Sequence, residues 1–433
     1  MVESKSSNTK AIMIIGMLFF IFGFVTWLNG ILIPFLKLAC QLDNDIQAFF
    51  VTSAFYMAYF FLALPSAMIL KKTGFKNGMA LGLFVMAIGS LIFIPAAETR
   101  TFGLFLTGLF VQGTGLALLQ TASNPYISII GPIESAAQRI SIMGICNKGA
   151  GALSPLIVGS IVLKNASAIE EQIKTATDAV QKETLLNELA SRVITPYTIM
   201  AVLLILLAFM IKRSSLPDIN TDGDASKAEQ QSAKTSVFQY PHLLLGVLCI
   251  FFGVGAEVMA GDAITIFGKT IGISLDQTKY FTTFTLIAML VGYVVGIATI
   301  PKYISQQKAL AVTAIVGMVL SLCVYFTSGY TSITFIALMG IANALTWPAI
   351  FPLAINGLGK FTKTGSGMLI MGIAGGATIP LLYGVLKVKV LLPNSLAFLL
   401  CTLPCFVYIF FYAVKGYKAG KEKKVEVKIL QTT

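Results

Sequence analysis

Charge is scarce in this chain. Only 12% of its 433 residues are Asp, Glu, Lys or Arg, about half the roughly 25% of a soluble globular domain. That shortage excludes an ordinary water-soluble fold. Histidine is nearly absent. His242, the one copy, sits beside Pro241 at the head of an apolar run and reads as an interfacial cap rather than a proton relay. The six cysteines, Cys40, Cys146, Cys249, Cys323, Cys401 and Cys405, lie in or beside apolar stretches with no CxxC and no paired loop spacing. They read as small buried hydrophobes, which excludes a disulfide framework or a thiolate metal site. No nucleophile–base set, metal cluster or phosphate loop occurs, so no enzyme and no cofactor is expected. The missing G-x-x-x-x-G-K-[ST] argues against an ATP-driven pump on this chain.

What the sequence has instead is apolar length. Hydrophobic residues make up 56% of it and mean hydropathy is +0.83. A helix needs about 20 apolar residues to cross the hydrocarbon core. Twelve stretches qualify: 11–36, 47–70, 77–97, 102–130, 139–163, 193–211, 241–267, 279–300, 307–326, 331–357, 364–386 and 391–414. Stretch 11–36 is longer than a signal-peptide core and no small-residue cleavage motif follows, so it reads as a true first span. The fold class expected is all-α, with twelve transmembrane helices, because backbone polar groups in lipid must be satisfied internally.

The net charge of +12 does not mark a nucleic-acid partner, since the basic residues do not gather on one amphipathic element. They flank the spans. Twenty Lys and Arg fall in the segments that would lie inside and ten in those outside, Lys148 being intramembrane. That bias puts both termini in the cytoplasm. Two connections are long. Residues 164–192 carry Glu/Lys spacing and an apolar stripe, which predicts an outer loop with helical content. Residues 212–240 are polar and rich in turn formers, which predicts a cytoplasmic linker. The division expected is a six-helix half over 1–211, the linker 212–240, a second six-helix half over 241–414 and a cytoplasmic tail over 415–433.

The halves repeat each other. "FFIFGFVTWLNGILIPFLK" at 19–37 aligns with "FFGVGAEVMAGDAITIFGK" at 251–269, and "IMGICNKGAGALSPLIVG" at 142–159 resembles "IMGIAGGATIPLLYG" at 370–384. Two repeated six-helix halves mark a transporter with alternating access.

Polar residues inside the spans are the candidate site. Glu257 and Asp262 stand five residues apart, about 140° around an ideal helix. Both can face a central cavity only if the Gly-rich segment bends. They are read as cation-coupling or hydroxyl-binding groups, against a helix tie for Glu257 and a water-facing mouth position for Asp262. Lys148 follows Asn147 and lies nine residues past Arg139, about 14 Å along a helix. It is near mid-membrane and needs a partner, which Glu257 or Asp262 can supply, or else backbone carbonyls. Gln120 and Asn124, with Pro125, share one span. Asn343 and Trp347, with Pro348, stand at a matching place in the second half. Amides donate and accept as sugar hydroxyls do, and an indole packs on the apolar face of a pyranose. With Trp27, Asn29 and Asn147, the set reads as a site for a neutral polyhydroxylated substrate. Any one amide can equally be helix–helix glue.

On "PSAMILKKTGFKNGMALGLFVMAIGSLIF" at 65–93, "GTGLALLQTASNPYISIIGP" at 113–132, "GAEV" at 255–258 and the long "NALTWPAIFPLAINGLGKFTKTGSGMLIMGIAGGATIPLLYG" at 343–384, the chain resembles the major facilitator superfamily, and within it the fucose/galactose/glucose permease group. The resemblance implies import of a hexose or 6-deoxyhexose by cation symport across a bacterial inner membrane, by a functional monomer set in lipid. It also exposes a departure. The proton-coupled fucose carrier of that group has an aspartate in its first span and a glutamate in its fourth. The matching positions here are Gly30 and Gln120. A neutral Gln120 cannot carry a proton, so the chain looks more like the glucose, galactose or mannose branch, with sodium favoured near Glu257 and Asp262. A proton-coupled carrier, a facilitator or exporter of another small solute, and a sensor with a transporter fold are the alternatives.

Overall fold

The computed structural model describes residues 2–129, 136–214 and 235–420. Most of the expected linker and the end of the expected tail lie outside the described residues. No strand occurs among those described.

The chain begins with α1 (Val2–Thr26) and α2 (Asn29–Ala39), followed by α3 (Asp45–Glu98), α4 (Phe102–Ile129) and α5 (Ala136–Val162). The connection predicted to be helical is so, as α6 (Ala166–Thr175) and α7 (Ala179–Ser191), before α8 (Ile194–Arg213). After the undescribed segment come α9 (Pro241–Gly261), α10 (Ala263–Thr270), the single turn α11 (Leu275–Thr278), α12 (Phe281–Thr299) and α13 (Gln306–Phe326). The last are α14 (Gly329–Ala344), α15 (Thr346–Ile355), α16 (Thr362–Met371), α17 (Gly375–Val388) and α18 (Asn394–Val414).

Eleven helical segments among the described residues are long and apolar enough to cross a membrane. One of them, α3, has 54 residues, about 80 Å at 1.5 Å per residue and far beyond a hydrocarbon core of about 30 Å. It is two spans joined at Gly74, whose φ of 74° and ψ of 170° suit glycine alone. The chain therefore makes the twelve crossings expected, and their ends fall within a few residues of the apolar stretches. Large apolar side chains such as Phe61 (57% exposed), Leu206 (59%) and Val294 (58%) face outward, as a lipid-facing belt requires.

Among the described residues four crossings are interrupted: α1/α2, α9/α10, α14/α15 and α16/α17, the last by a single tight turn over Gly372–Ala374. Proline accounts directly for one of them. Pro34 has no N–H for the Gly30 carbonyl one turn back. That carbonyl instead accepts from the Thr265 hydroxyl at 3.2 Å. Pro348 leaves the Ala344 carbonyl without its helical donor in the same way, and α14 gives way to α15 at Leu345. Another interruption is at Asp262, between α9 and α10. Here threonines of α12 stand in for the lost ladder: Thr282 donates to the Gly261 carbonyl at 2.7 Å and Thr285 to that of Ala260 at 2.8 Å. The α1/α2 break at Trp27–Leu28 and the break at Asp262 fall at nearly matching places in the aligned repeats. Discontinuous helices at the membrane midplane are where transporters build their sites.

Packing follows small residues. α1 lies on α5, α3 on α4 and α8, α9 on α17 and α18, and α13 on α14 and α18. At the α1–α5 crossing a β-carbon on Gly23 would stand 2.1 Å from the Asn147 carbonyl oxygen, so only glycine lets these backbones approach so closely. Helices from before and after the undescribed segment meet where α5 packs on α12 and α3 on α16 and α17. Polar links between the two groups gather at the end carrying α6 and α7. Lys387 of α17 holds Asp45 of α3 at 2.8 Å, and Lys269 of α10 holds Glu170 of α6 at 2.9 Å. Lys279 donates to the Leu163 carbonyl at 3.2 Å, and the Ser167 amide to Asp276 at 3.3 Å.

Candidate functional site

One central cavity is lined from both groups of helices. From α1 come Phe19, Phe22 and Thr26, one helical face by their spacing, with Trp27 at the break. α3 contributes Tyr56 and Tyr59, and α4 contributes Gln120 and Asn124, one turn apart. Asn147 and Lys148 stand on α5. Across the cavity are Val254, Glu257 and Val258 of α9, Tyr293 of α12, and Trp347 and Pro348 of α15. Both tryptophans of the chain therefore line this cavity.

The polar groups form a network. Lys148 and Glu257 make an ion pair at 2.5 Å, their side chains only 10% and 13% exposed. The same ammonium lies over the Trp27 ring, 4.4 Å from its centroid. Trp27 directs its Nε1–H to Asn147 Oδ1 at 3.5 Å, and Asn147 Nδ2 points back to the Phe19 carbonyl at 3.4 Å. On the other wall Gln120 Nε2 donates to the Tyr59 hydroxyl at 3.0 Å. The Trp347 ring stacks on Phe351, centroids 5.6 Å apart and 30° between planes. The lining thus offers two indole rings, three amides, tyrosine hydroxyls and one neutralised ion pair. That combination suits a neutral solute that donates and accepts hydrogen bonds and has an apolar face. It carries no nucleophile aimed at a bond to be broken.

Seven of the ten residues singled out from sequence meet here: Trp27, Gln120, Asn124, Asn147, Lys148, Glu257 and Trp347. Three do not line the cavity, which corrects the cavity-lining place expected of Asn29 and Asn343 and the cavity-facing place considered for Asp262. Asn343 is buried at the last turn of α14 and points its Nδ2 to the Ala256 carbonyl at 3.5 Å, the helix-glue arrangement. Asn29 is 1% exposed and lies beyond the α1/α2 break, where the register set by Phe19, Phe22 and Thr26 no longer holds. Asp262 is 0% exposed, which also removes the water-facing mouth position as an account of it. The helix does bend, as two cavity-facing carboxylates required, but the bend at Asp262 leaves Glu257 alone on the cavity wall. Lys148 accordingly pairs with Glu257. Sequence reasoning passed over Tyr56, Tyr59, Tyr293, Phe19, Phe22 and Thr26. A weak signal was available for the tyrosines, which place hydroxyls inside otherwise apolar spans. His242 is buried, with Nε2 3.0 Å from the Asn356 carbonyl oxygen, a local tie near the start of α9. All six cysteines are free thiols.

Twelve crossings around a polar central cavity define a polytopic membrane transporter. The Major Facilitator Superfamily model matches residues 15–381, and the chain belongs to that family. It is 35% identical over 420 residues to the glucose/galactose transporter of Brucella abortus (strain 9-941), covering 96% of each chain. It is 29% identical over 366 residues to the L-fucose-proton symporter of Escherichia coli (strain K12), covering 84% of this chain and 83% of that one. The crystal structure of the facilitator-superfamily transporter FucP in the outward conformation superposes with a TM-score of 0.74 at 28% identity, covering 94% of this chain and 98% of that chain.

Proposed function

We propose that this chain is a secondary active transporter that imports a hexose (glucose, galactose or mannose) across a bacterial inner membrane by cation symport, with sodium favoured. The observation that carries the reading is the meeting of Trp27, Trp347, Gln120, Asn124 and Asn147 in one cavity, since hydrogen-bonding amides beside indole faces match a pyranose on both of its surfaces. The names of the glucose/galactose relatives point the same way. Proton coupling is the second reading, favoured by the relatives named as fucose-proton symporters. The test is uptake of labelled hexoses into vesicles, with imposed sodium and proton gradients varied separately. Uptake driven by sodium alone supports the first reading and uptake driven by protons alone the second. No hexose uptake under either gradient overturns both.

On this reading residues 1–211 and 241–414 rock as two halves joined by 212–240, with both termini cytoplasmic as the positive flanks imply. The Lys387–Asp45 and Lys269–Glu170 links then close the outer end and must open for sugar to enter. D45N should favour the outward-open state by a few fold, on the order of 1 kcal/mol for a mostly buried pair at the surface. Labelling from outside of a cysteine placed at Tyr56, on a cysteine-free background, measures it. An unchanged labelling rate would show that this link does not hold the outer end shut.

Gln120 and Asn343 should separate cleanly. An unmade hydrogen bond in a buried site costs about 1–3 kcal/mol, so Q120A should weaken sugar binding about tenfold or more. N343A should lower thermal stability by about 1 kcal/mol and leave sugar affinity within about twofold. Tryptophan emission reports binding directly, because both indoles line the cavity.

A further inference from the structure

Asp262 and Asn29 are left over by the sugar cavity. Asp262 is completely buried and neither of its carboxylate oxygens has a hydrogen-bond partner; Asn29, 1% exposed, is likewise unpartnered at both its amide nitrogen and its oxygen. They stand where the two broken spans face each other. A β-carbon on Gly30 would lie 3.2 Å from Asp262 Oδ1, and the Gly30 amide faces that carboxylate outside the geometry of a formed hydrogen bond. The break carbonyls of Gly30, Gly261 and Ala260 already accept from Thr265, Thr282 and Thr285. Lys148 is engaged by Glu257. What remains in this buried place is an acidic side chain with no formed hydrogen bond and, near it, an amide whose neighbour is Tyr56. Burying an ionised carboxylate unpaired costs far more than burying one that has received a positive charge.

We propose that the coupling cation binds at Asp262, with Asn29 beside it, between the two helix breaks and apart from the sugar cavity. The proposal rests on the symport reading above. Proton and sodium share the required chemistry, a single positive charge delivered to the Asp262 carboxylate. The site joins the two groups of helices, so its occupancy acts on their relative position. Tyr56 connects it to the sugar: that side chain neighbours Asn29 and also lines the cavity. Glu257 and Asp262 thus divide the work, one held by Lys148 in the sugar cavity and the other waiting for the ion.

The experiment measures D-galactose and D-glucose affinity by tryptophan emission in the purified full chain, against sodium chloride with choline chloride as the ionic-strength control, at two fixed pH values. In the wild type, saturating cation should tighten sugar binding about 5-fold or more. D262N should flatten that dependence, and N29L should shift it to higher cation concentration; a saturable sugar response in either variant shows that it is folded. Sodium dependence lost in D262N supports the site with sodium in it. A pH dependence lost in D262N supports it with the proton. Cation dependence kept in D262N and lost in E257Q overturns the site while leaving symport intact. A wild type that responds to neither ion overturns symport, and the site falls with it.

Discussion

Replacing Glu257 by Gln should reduce sugar transport about 30- to 150-fold, and replacing Lys148 by Met should do the same. Each change leaves one charge of a mostly buried pair without its partner. Removing one member of such a pair costs about 3–5 kcal/mol in a dry interior. Both side chains line a cavity and keep 10% and 13% exposure, so about 2–3 kcal/mol is expected here, which is about 30- to 150-fold in an equilibrium constant. In E257Q the ammonium keeps only the Trp27 ring, 4.4 Å from its centroid. A cation over an indole is worth about 0.5–2 kcal/mol, too little to replace a carboxylate. The ammonium should therefore move, taking with it the contacts of Trp27 and Asn147 that shape the sugar cavity. The double variant K148M/E257Q separates the two roles. It buries no unpaired charge, so its thermal stability should return toward wild type, while sugar binding should stay weak because the polar wall is gone. Thermal midpoints and sugar affinity for the four proteins form a double-mutant cycle. Additive losses of stability would show that the pair is not coupled. Full recovery of sugar affinity in the double variant would show that the pair holds helices together and does not face the sugar.

The twelve crossings were legible because the bilayer imposes a length on apolar runs and leaves helices as the spanning form for such a chain. Even the turn at Gly74, where two spans join without a break in the chain's helical run on either side, was marked in sequence by the basic residues between two apolar runs. The breaks were less legible. Nothing at Trp27–Leu28 is itself a helix breaker. Pro34, six residues past Leu28, frees only the Gly30 carbonyl inside α2 and does not mark the break itself. The breaks then decided the site. Residue spacing assigns a helical face only while the helix runs straight, so Asn29, Asp262 and Asn343, each at or near an interruption, left the faces their spacing gave them. Residues on unbroken stretches kept theirs: Gln120 with Asn124, and Glu257 with Val254 and Val258. The need of Lys148 for a carboxylate could be read from its depth, but the choice between two acids on the same span turned on the bend at Asp262. The cavity aromatics carried little signal, because in an apolar span a phenylalanine packed in the core and one facing a cavity look alike.

A single methyl group placed beside Trp27 should be nearly as damaging as the loss of a charge. The indole is clamped between glycines of two helices that belong to different groups. A β-carbon on Gly151 of α5 would lie 2.3 Å from Trp27 Cδ1, and one on Gly261, the last residue of α9, 2.3 Å from Cζ3. Neither distance is tolerable, and the ring is rigid and 1% exposed, so it cannot fold away as a flexible chain would. Overpacking of this kind costs about 1–3 kcal/mol. The ring would relieve it by tilting out of its slot, away from Asn147 and from under the Lys148 ammonium, into the space the sugar is proposed to occupy. G151A and G261A should each lower the thermal midpoint, shift tryptophan emission and weaken sugar binding by about tenfold or more. Gly149 provides the control on the same helix. A β-carbon there meets nothing within 4 Å, so G149A should be neutral or stabilise by a few tenths of a kcal/mol, as alanine usually does in a helix. W27F provides the second arm, since phenylalanine has no atom at the Cζ3 position. The G261A/W27F double variant should regain most of the stability that G261A loses, and a double variant as unstable as G261A alone would place the strain somewhere other than the indole.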